Sequence, residues 1–132
     1  MDKLLKELGE NISSSVGKSI LSHEIINDEL ILTVSSEKII EVLTFLRDDS
    51  SCQFKMLIDI CGVDFPNREI RYEVIYNLLS LTHNQRIRLK VNTNSESPIP
   101  SVVSVYSAAA WYEREVWDMF GVIFSKHPDL RR

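Results

Sequence analysis

Four groups of residues in this 132-residue chain have types and spacings that could do chemistry. Glu113 and Glu115 flank Arg114, His127 stands two places from Asp129, Cys52 and Cys61 are the two thiols, and Arg86, Arg88 and Lys90 alternate. Paired carboxylates are the usual equipment of general acid–base catalysis. On a helix, however, residues two apart diverge by about 200°, so Glu113 and Glu115 cannot converge on one substrate and read as solvated or interface ion-pairing groups. His127 beside Asp129 suggests a base oriented by a carboxylate, but no nucleophile is placed to use it. A turn-forming or docking role is the simpler reading. Two cysteines cannot supply the four thiolates of an iron–sulfur cluster, and neither a Walker loop nor a GxGxxG is present. With no CxxC and no secretory signal, both thiols are expected reduced and simply packed. The Arg86, Arg88, Lys90 stripe could meet phosphates or an acidic partner, yet alternating cations on an outward strand face are also ordinary solubilising surface and a guard for an edge strand.

The element that must position the first group is a helix expected from about Ala108 to Phe120. At about 100° per residue, Val105, Ala108, Ala109, Tyr112, Val116, Met119 and Phe120 form one apolar arc centred on Val116. Arg114 and Asp118 sit opposite as an i,i+4 pair, and Trp111 and Trp117 flank the arc, so the helix is apolar beyond what one core needs. Such breadth predicts a second packing partner. Gly121 suits the C′ position, and Pro128 prevents further helix.

The remaining elements can be placed by periodicity. Residues from about Asp2 to Leu8 predict a short amphipathic helix closed by Gly9. Ile20 to Ile26 and Leu30 to Val34 predict a hairpin turning at Asn27-Asp28. Ser35-Ser36-Glu37 opens a helix with a stripe of Ile39, Ile40, Leu43 and Leu46. Phe54 to Cys61 predicts a strand with Phe54, Met56, Ile58 and Ile60 on one face, followed by a loop from Gly62. Ile70 to Leu79 and Ile87 to Val91 predict a second hairpin. Pro98-Ile99-Pro100 must be extended. This order predicts an α+β fold of two layers, with helices on a mixed or mostly antiparallel sheet of about five strands, as a single domain over 1–132 with a docking tail from about 121. A net charge of -4 and a pI near 5.4 argue against a nucleic-acid binder. The longest apolar runs fall far short of the roughly 20 residues of a membrane span, so membrane association is expected only through partners. The N-terminus lacks an apolar h-region and is not an Arg-rich transit peptide, so a cytosolic home is expected.

The run Glu113-Arg-Glu-Val-Trp-Asp-Met-Phe-Gly-Val122, then Phe124, then His127-Pro-Asp-Leu-Arg-Arg132, resembles the signature of the C-type subunit of proton-translocating NADH:quinone oxidoreductase, respiratory complex I. A second block, Asp59-Ile-Cys-Gly-Val-Asp-Phe-Pro66 with Arg71 to Tyr76, Leu79-Ser80, Asn84 and Arg86 to Lys90, extends the resemblance over roughly residues 57 to 132. The first fifty residues carry no assignable motif. Before His-Pro the family usually has Gly or Asn, where this chain has Lys126. The resemblance implies a non-catalytic scaffold subunit of the peripheral arm, on the cytoplasmic side of the bacterial inner membrane or the matrix side in mitochondria. It implies no cofactor in this chain, with FMN and iron–sulfur clusters elsewhere in the complex. The implied partners are a hydrogenase-like large subunit and a cluster-bearing subunit, and the expected contact residues are Trp111, Glu113, Arg114, Trp117, Asp118, His127, Asp129, Arg131 and Arg132. Alternatives are the equivalent subunit of an energy-converting hydrogenase or related complex, and a free-standing hydrolase using His127 and nearby carboxylates.

Overall fold

A computed structural model describes residues 2–16, 20–26, 29–49, 52–93 and 98–127. The elements run α1 (Asp2–Val16), β1 (Ile20–Ile26), β2 (Glu29–Val34), α2 (Ile39–Asp48), β3 (Met56–Asp64), β4 (Tyr72–Ser80), β5 (Gln85–Thr93), β6 (Ile99–Pro100), α3 (Ala109–Phe120) and β7 (Phe124–Ser125). The fold is α+β. Five strands make a mixed sheet in the order β1-β2-β5-β4-β3, antiparallel except where β5 returns beside β2, and β6 and β7 form a parallel two-stranded ribbon.

One apolar cluster joins the layers. Alternate residues of the sheet (Leu30, Leu32, Val34, Leu57, Ile60, Val74, Tyr76, Leu78, Ile87, Leu89, Val91) and residues of all three helices belong to it. The period-2 and period-3.6 patterns meet there, because each element has a single stripe to bury.

The differences from the sequence expectations have local causes. Gly9 does not end α1. It is buried within the helix, where a Cβ would meet His23 and Leu30 at an ordinary contact distance of 3.4 Å, and the stripe continues through Ile12. In α2 the buried stripe is Ile39, Val42, Leu43 and Leu46, which leaves Ile40 exposed. Along β3 the register shifts between Leu57 and Asp59. The expected alternation fails in part around this irregularity: Phe54 and Ile60 are buried as expected, whereas Leu57 faces the core and Met56 is exposed. The strand then runs on through Gly62 to Asp64, which pair with β4. Strand β5 is central, so its cations do not guard an edge. Neither cysteine is in a disulfide; Cys52 is buried and Cys61 is exposed, so only the former is packed. The expected turn at Asn27-Asp28 lies outside the described residues.

Gly62 decides how α3 meets the sheet. A Cβ on it would lie 2.6 Å from two ring carbons of Phe120 and 3.3 Å from a methyl of Val116. Helix α3 therefore crosses edge strand β3 at a point where only a glycine leaves room. Gly62→Ala is expected to overpack this crossing and lower stability by about 1–3 kcal/mol. In thermal unfolding, adding Phe120→Leu should recover part of the loss, and an unshifted melting temperature for Gly62→Ala alone would contradict the close approach.

Candidate functional site

The motif from Glu113 to His127 folds around a carboxylate. Only Ala109, Glu113 and Val116 of α3 are buried. They fall on one side of the wheel with Phe120, because α3 lies over edge strand β3 and the sheet covers a narrower arc than its apolar residues span. Met119, about 80° round from Ala109, lies beyond that arc and is 75% exposed. Glu113, expected outside, is 0% exposed.

Its oxygens are fully engaged. The Ser101 hydroxyl donates to Oε1 at 2.6 Å, and the Val102 backbone N–H donates to Oε2 at 2.8 Å. The Nε2–H of His127, whose side chain is 1% exposed, donates to the Ala110 carbonyl at 2.9 Å and lies 3.9 Å from Glu113 Oε1. Burial raises the Glu113 pKa, against the opposing pull of Ser101, Val102 and His127. On β4, the Tyr76 hydroxyl is wholly buried with no hydrogen-bond partner among the described residues. Burial, reinforced by the Glu113 charge, pushes its pKa well up. The β6–β7 ribbon is thereby fastened to α3 by one acid, and Val122 and Phe124 are buried beneath it.

This cluster contains a serine, a histidine and an acid, but it is not a nucleophile–base pair. The Ser101 proton points at the carboxylate, the imidazole bonds a carbonyl, and all three side chains are closed off from solvent. A hydrolase would need serine on histidine and histidine on the acid, open to substrate. Among the described residues, no three His, Cys, Asp or Glu side chains gather as a metal's ligand set requires.

The outward side of α3 carries Trp111 (65% exposed), Arg114, Glu115, Asp118 and Met119, with Trp117 half-buried. Of the expected contact residues, Trp111, Arg114 and Asp118 face out, whereas Glu113 and His127 turn inward and meet each other. Asp129, Arg131 and Arg132 lie outside the described residues. Two cations of the basic stripe, Arg88 and Lys90, are paired within the sheet. Arg88 meets Glu29 at 3.4 Å and donates to Asn77, which donates to Asp59 at 2.6 Å, while Lys90 and Arg68 share Glu73.

Residues 32–132 match the family described as respiratory-chain NADH dehydrogenase, 30 Kd subunit. The chain belongs to this family. It is 53% identical over its whole length to the C-type subunit of NADH-quinone oxidoreductase from Paramagnetospirillum magneticum, spanning 67% of that protein. Over 97% of its length it is 53% identical to the corresponding protein of Rhodospirillum rubrum, spanning 60% of it. In structure it is similar to the trypsin-resistant fragment (1-134) of Nqo5, with a TM-score of 0.79, 27% identity, and coverage of 96% of this chain and 99% of that one. It is also similar to a chain of the membrane-bound sulfane sulfur reductase, an archaeal respiratory membrane complex, with a TM-score of 0.79, 25% identity, and coverage of 92% and 71%. No helix among the described residues is long and apolar enough to cross a membrane.

Lys126 takes a φ of 62°, in the left-handed region that Gly and Asn adopt most readily.

Sequence reasoning missed Ser101, which no motif marks, gave Tyr76 no more than a place in a strand block, and misread Glu113. The helical wheel held a usable signal, since Glu113 falls about 40° from Ala109 and about 60° from Val116, on the buried side. Glu113→Ala is expected to strand the Val102 N–H and leave a cavity, costing on the order of 3 kcal/mol. Glu113→Gln keeps shape and acceptor and should cost less than about 1 kcal/mol in denaturant unfolding; equal losses would refute the network. Lys126→Gly should stabilise by up to about 1 kcal/mol, the left-handed penalty of about 1–2 less the extra chain entropy of glycine, about 0.5–1. A fall in its denaturation midpoint would argue against that backbone strain.

Proposed function

We propose that the chain is a non-catalytic structural subunit of the peripheral arm of a proton-translocating NADH:quinone oxidoreductase, bracing a hydrogenase-like large subunit beside a cluster-bearing subunit. FMN and iron–sulfur clusters belong to those other subunits. The chain sits on the cytoplasmic side of the membrane and touches it only through the complex. The observation that carries this reading is the outward face of α3, where Trp111 and Met119 stay largely exposed among Arg114, Glu115 and Asp118, inside the motif that the family shares. Exposed large apolar groups rimmed by charge mark contact surfaces. The inward face is occupied by the sheet, so a partner has only the outer one to use. The single-domain reading over 1–132 accords with the one apolar cluster joining helices and sheet, and the docking tail is read as beginning at about 121.

A second reading, the equivalent subunit of a related complex I-like membrane complex, is favoured by the similarity to the sulfane sulfur reductase chain. Both readings make this surface an interface, and the cluster-bearing proteins that co-purify with the chain separate them.

The test is co-purification from membranes combined with melting of the isolated chain. Trp111→Glu and Met119→Arg alter exposed positions, so each should leave folding stability within about 0.5 kcal/mol of wild type while assembly with the large subunit fails. Variants that both fold and assemble normally would move the interface away from α3, and the chain's purification free of any cluster-bearing subunit would defeat the scaffold reading.

A further inference from the structure

Helix α2 and the β6–β7 ribbon do not close on each other. Strand β6 packs on the short 3-10 turn Ser36–Lys38 that leads into α2, and a groove of about 690 Å³ lies beside that contact. It is lined by Ile40 of α2, by Pro100, Val103 and Ser104, and by Ser125 and Lys126. Its volume falls in the range of sites that hold small ligands or the side chains of a bound segment. Ile40 contributes an apolar surface that the core does not use. It stands about 60° beyond Leu43 on the wheel, off the arc of Ile39, Val42, Leu43 and Leu46, and is 36% exposed.

The charge in the groove has one sign. Among the described residues that line it, Lys126 alone is charged, and it makes no ion pair with another described residue. Its backbone is held at φ 62°, where a residue with a Cβ is strained. The turn that imposes this conformation sends His127 inward onto the Ala110 carbonyl and leaves Lys126 on the groove. Strain of this kind is concentrated at binding positions. The hydroxyls of Ser104 and Ser125, in the same lining, are further donors for an anion.

We propose that this groove docks a partner segment in which an apolar side chain stands beside a carboxylate. The apolar group seats on Ile40, Pro100 and Val103, and the carboxylate meets the Lys126 ammonium. A basic segment would be repelled by the one charge present, and a neutral apolar segment would cover that charge without a counter-ion. The groove shares no residue with the outward face of α3 and gives the chain a second contact. It rests on the scaffold reading only for the source of the segment, a neighbouring subunit.

Amide chemical shifts of the isotope-labelled 132-residue chain, titrated with the peptides acetyl-Leu-Glu-Leu-amide and acetyl-Leu-Gln-Leu-amide, test it. The Glu peptide should shift the amides of Ile40, Ser104, Ser125 and Lys126. It should bind about threefold or more tightly than the Gln peptide at low salt, with the difference shrinking as salt rises. Lys126→Glu should reverse the preference, so that acetyl-Leu-Lys-Leu-amide binds better than the Glu peptide, and Lys126→Gly should bind the Glu and Gln peptides alike. Ile40→Gln should weaken every peptide. Both positions are exposed, so these variants keep the fold. No shifts at millimolar peptide, shifts confined to other surfaces, equal affinity of the wild type for the Glu and Gln peptides, or an unreversed preference in Lys126→Glu would each overturn the proposal. No subunit of the complex takes part, so failure here leaves the α3 contact standing, and failed co-purification leaves the groove standing.

Discussion

A carboxylate buried in a core has to find donors or give up its charge, and much of the C-terminal third of this chain is arranged around that constraint. Glu113 enters the interior because α3 turns the side holding Ala109 and Val116 toward edge strand β3. Its two nearest donors come from a segment preceding the helix, and its nearest cationic candidate from the segment following it. Segments that precede and follow α3 are thus tied through a single side chain. An apolar residue at 113 could fill the same space, but it could not reach the Ser101 hydroxyl and the Val102 N–H, which would then be buried without partners.

The consequences extend to the other face of the same helix. Gly62 admits Phe120 and Val116 closely onto β3, and Phe120 also packs against Tyr72 with ring centroids 5.9 Å apart. At an edge strand, only about a third of the helix circumference can be covered by the sheet. Trp111 and Met119 are left on the outside by that geometry, despite their apolar character. What makes the helix bind inward with Glu113 therefore also leaves it with an apolar outer surface.

The sheet's other face handles charge differently. Arg88 and Lys90 find acceptors in Glu29, Asn77 and Glu73 across neighbouring strands, and Arg68, from the loop between β3 and β4, shares Glu73. A row of cations that looks available in the sequence is largely spent within the sheet. Beyond it, the loop between β3 and β4 is held by the paired Asp64 and Arg71, where the guanidinium keeps the Asp64 carboxyl below its usual range, and by Arg68 stacked 3.7 Å over Phe65.

The sequence by itself determined the fold class, the order of most elements, and the family, because these rest on periodicity and on contiguous motifs. The C′ glycine was legible for the same reason: Gly121 takes φ 73° and its N–H bonds the Trp117 carbonyl. Tertiary structure decided whatever depends on a neighbour distant in the chain. Gly9 and Gly62 look like a helix stop and a loop start until His23, Leu30 and Phe120 are brought against them. The alternation of β3 is interrupted between Leu57 and Asp59 by an irregularity that no residue announces. Glu113 and His127 look like two exposed contact residues fourteen positions apart, and only the return of the chain through β7 places one beside the other, because the place of a residue on its own helix does not say which distant segment will cover it.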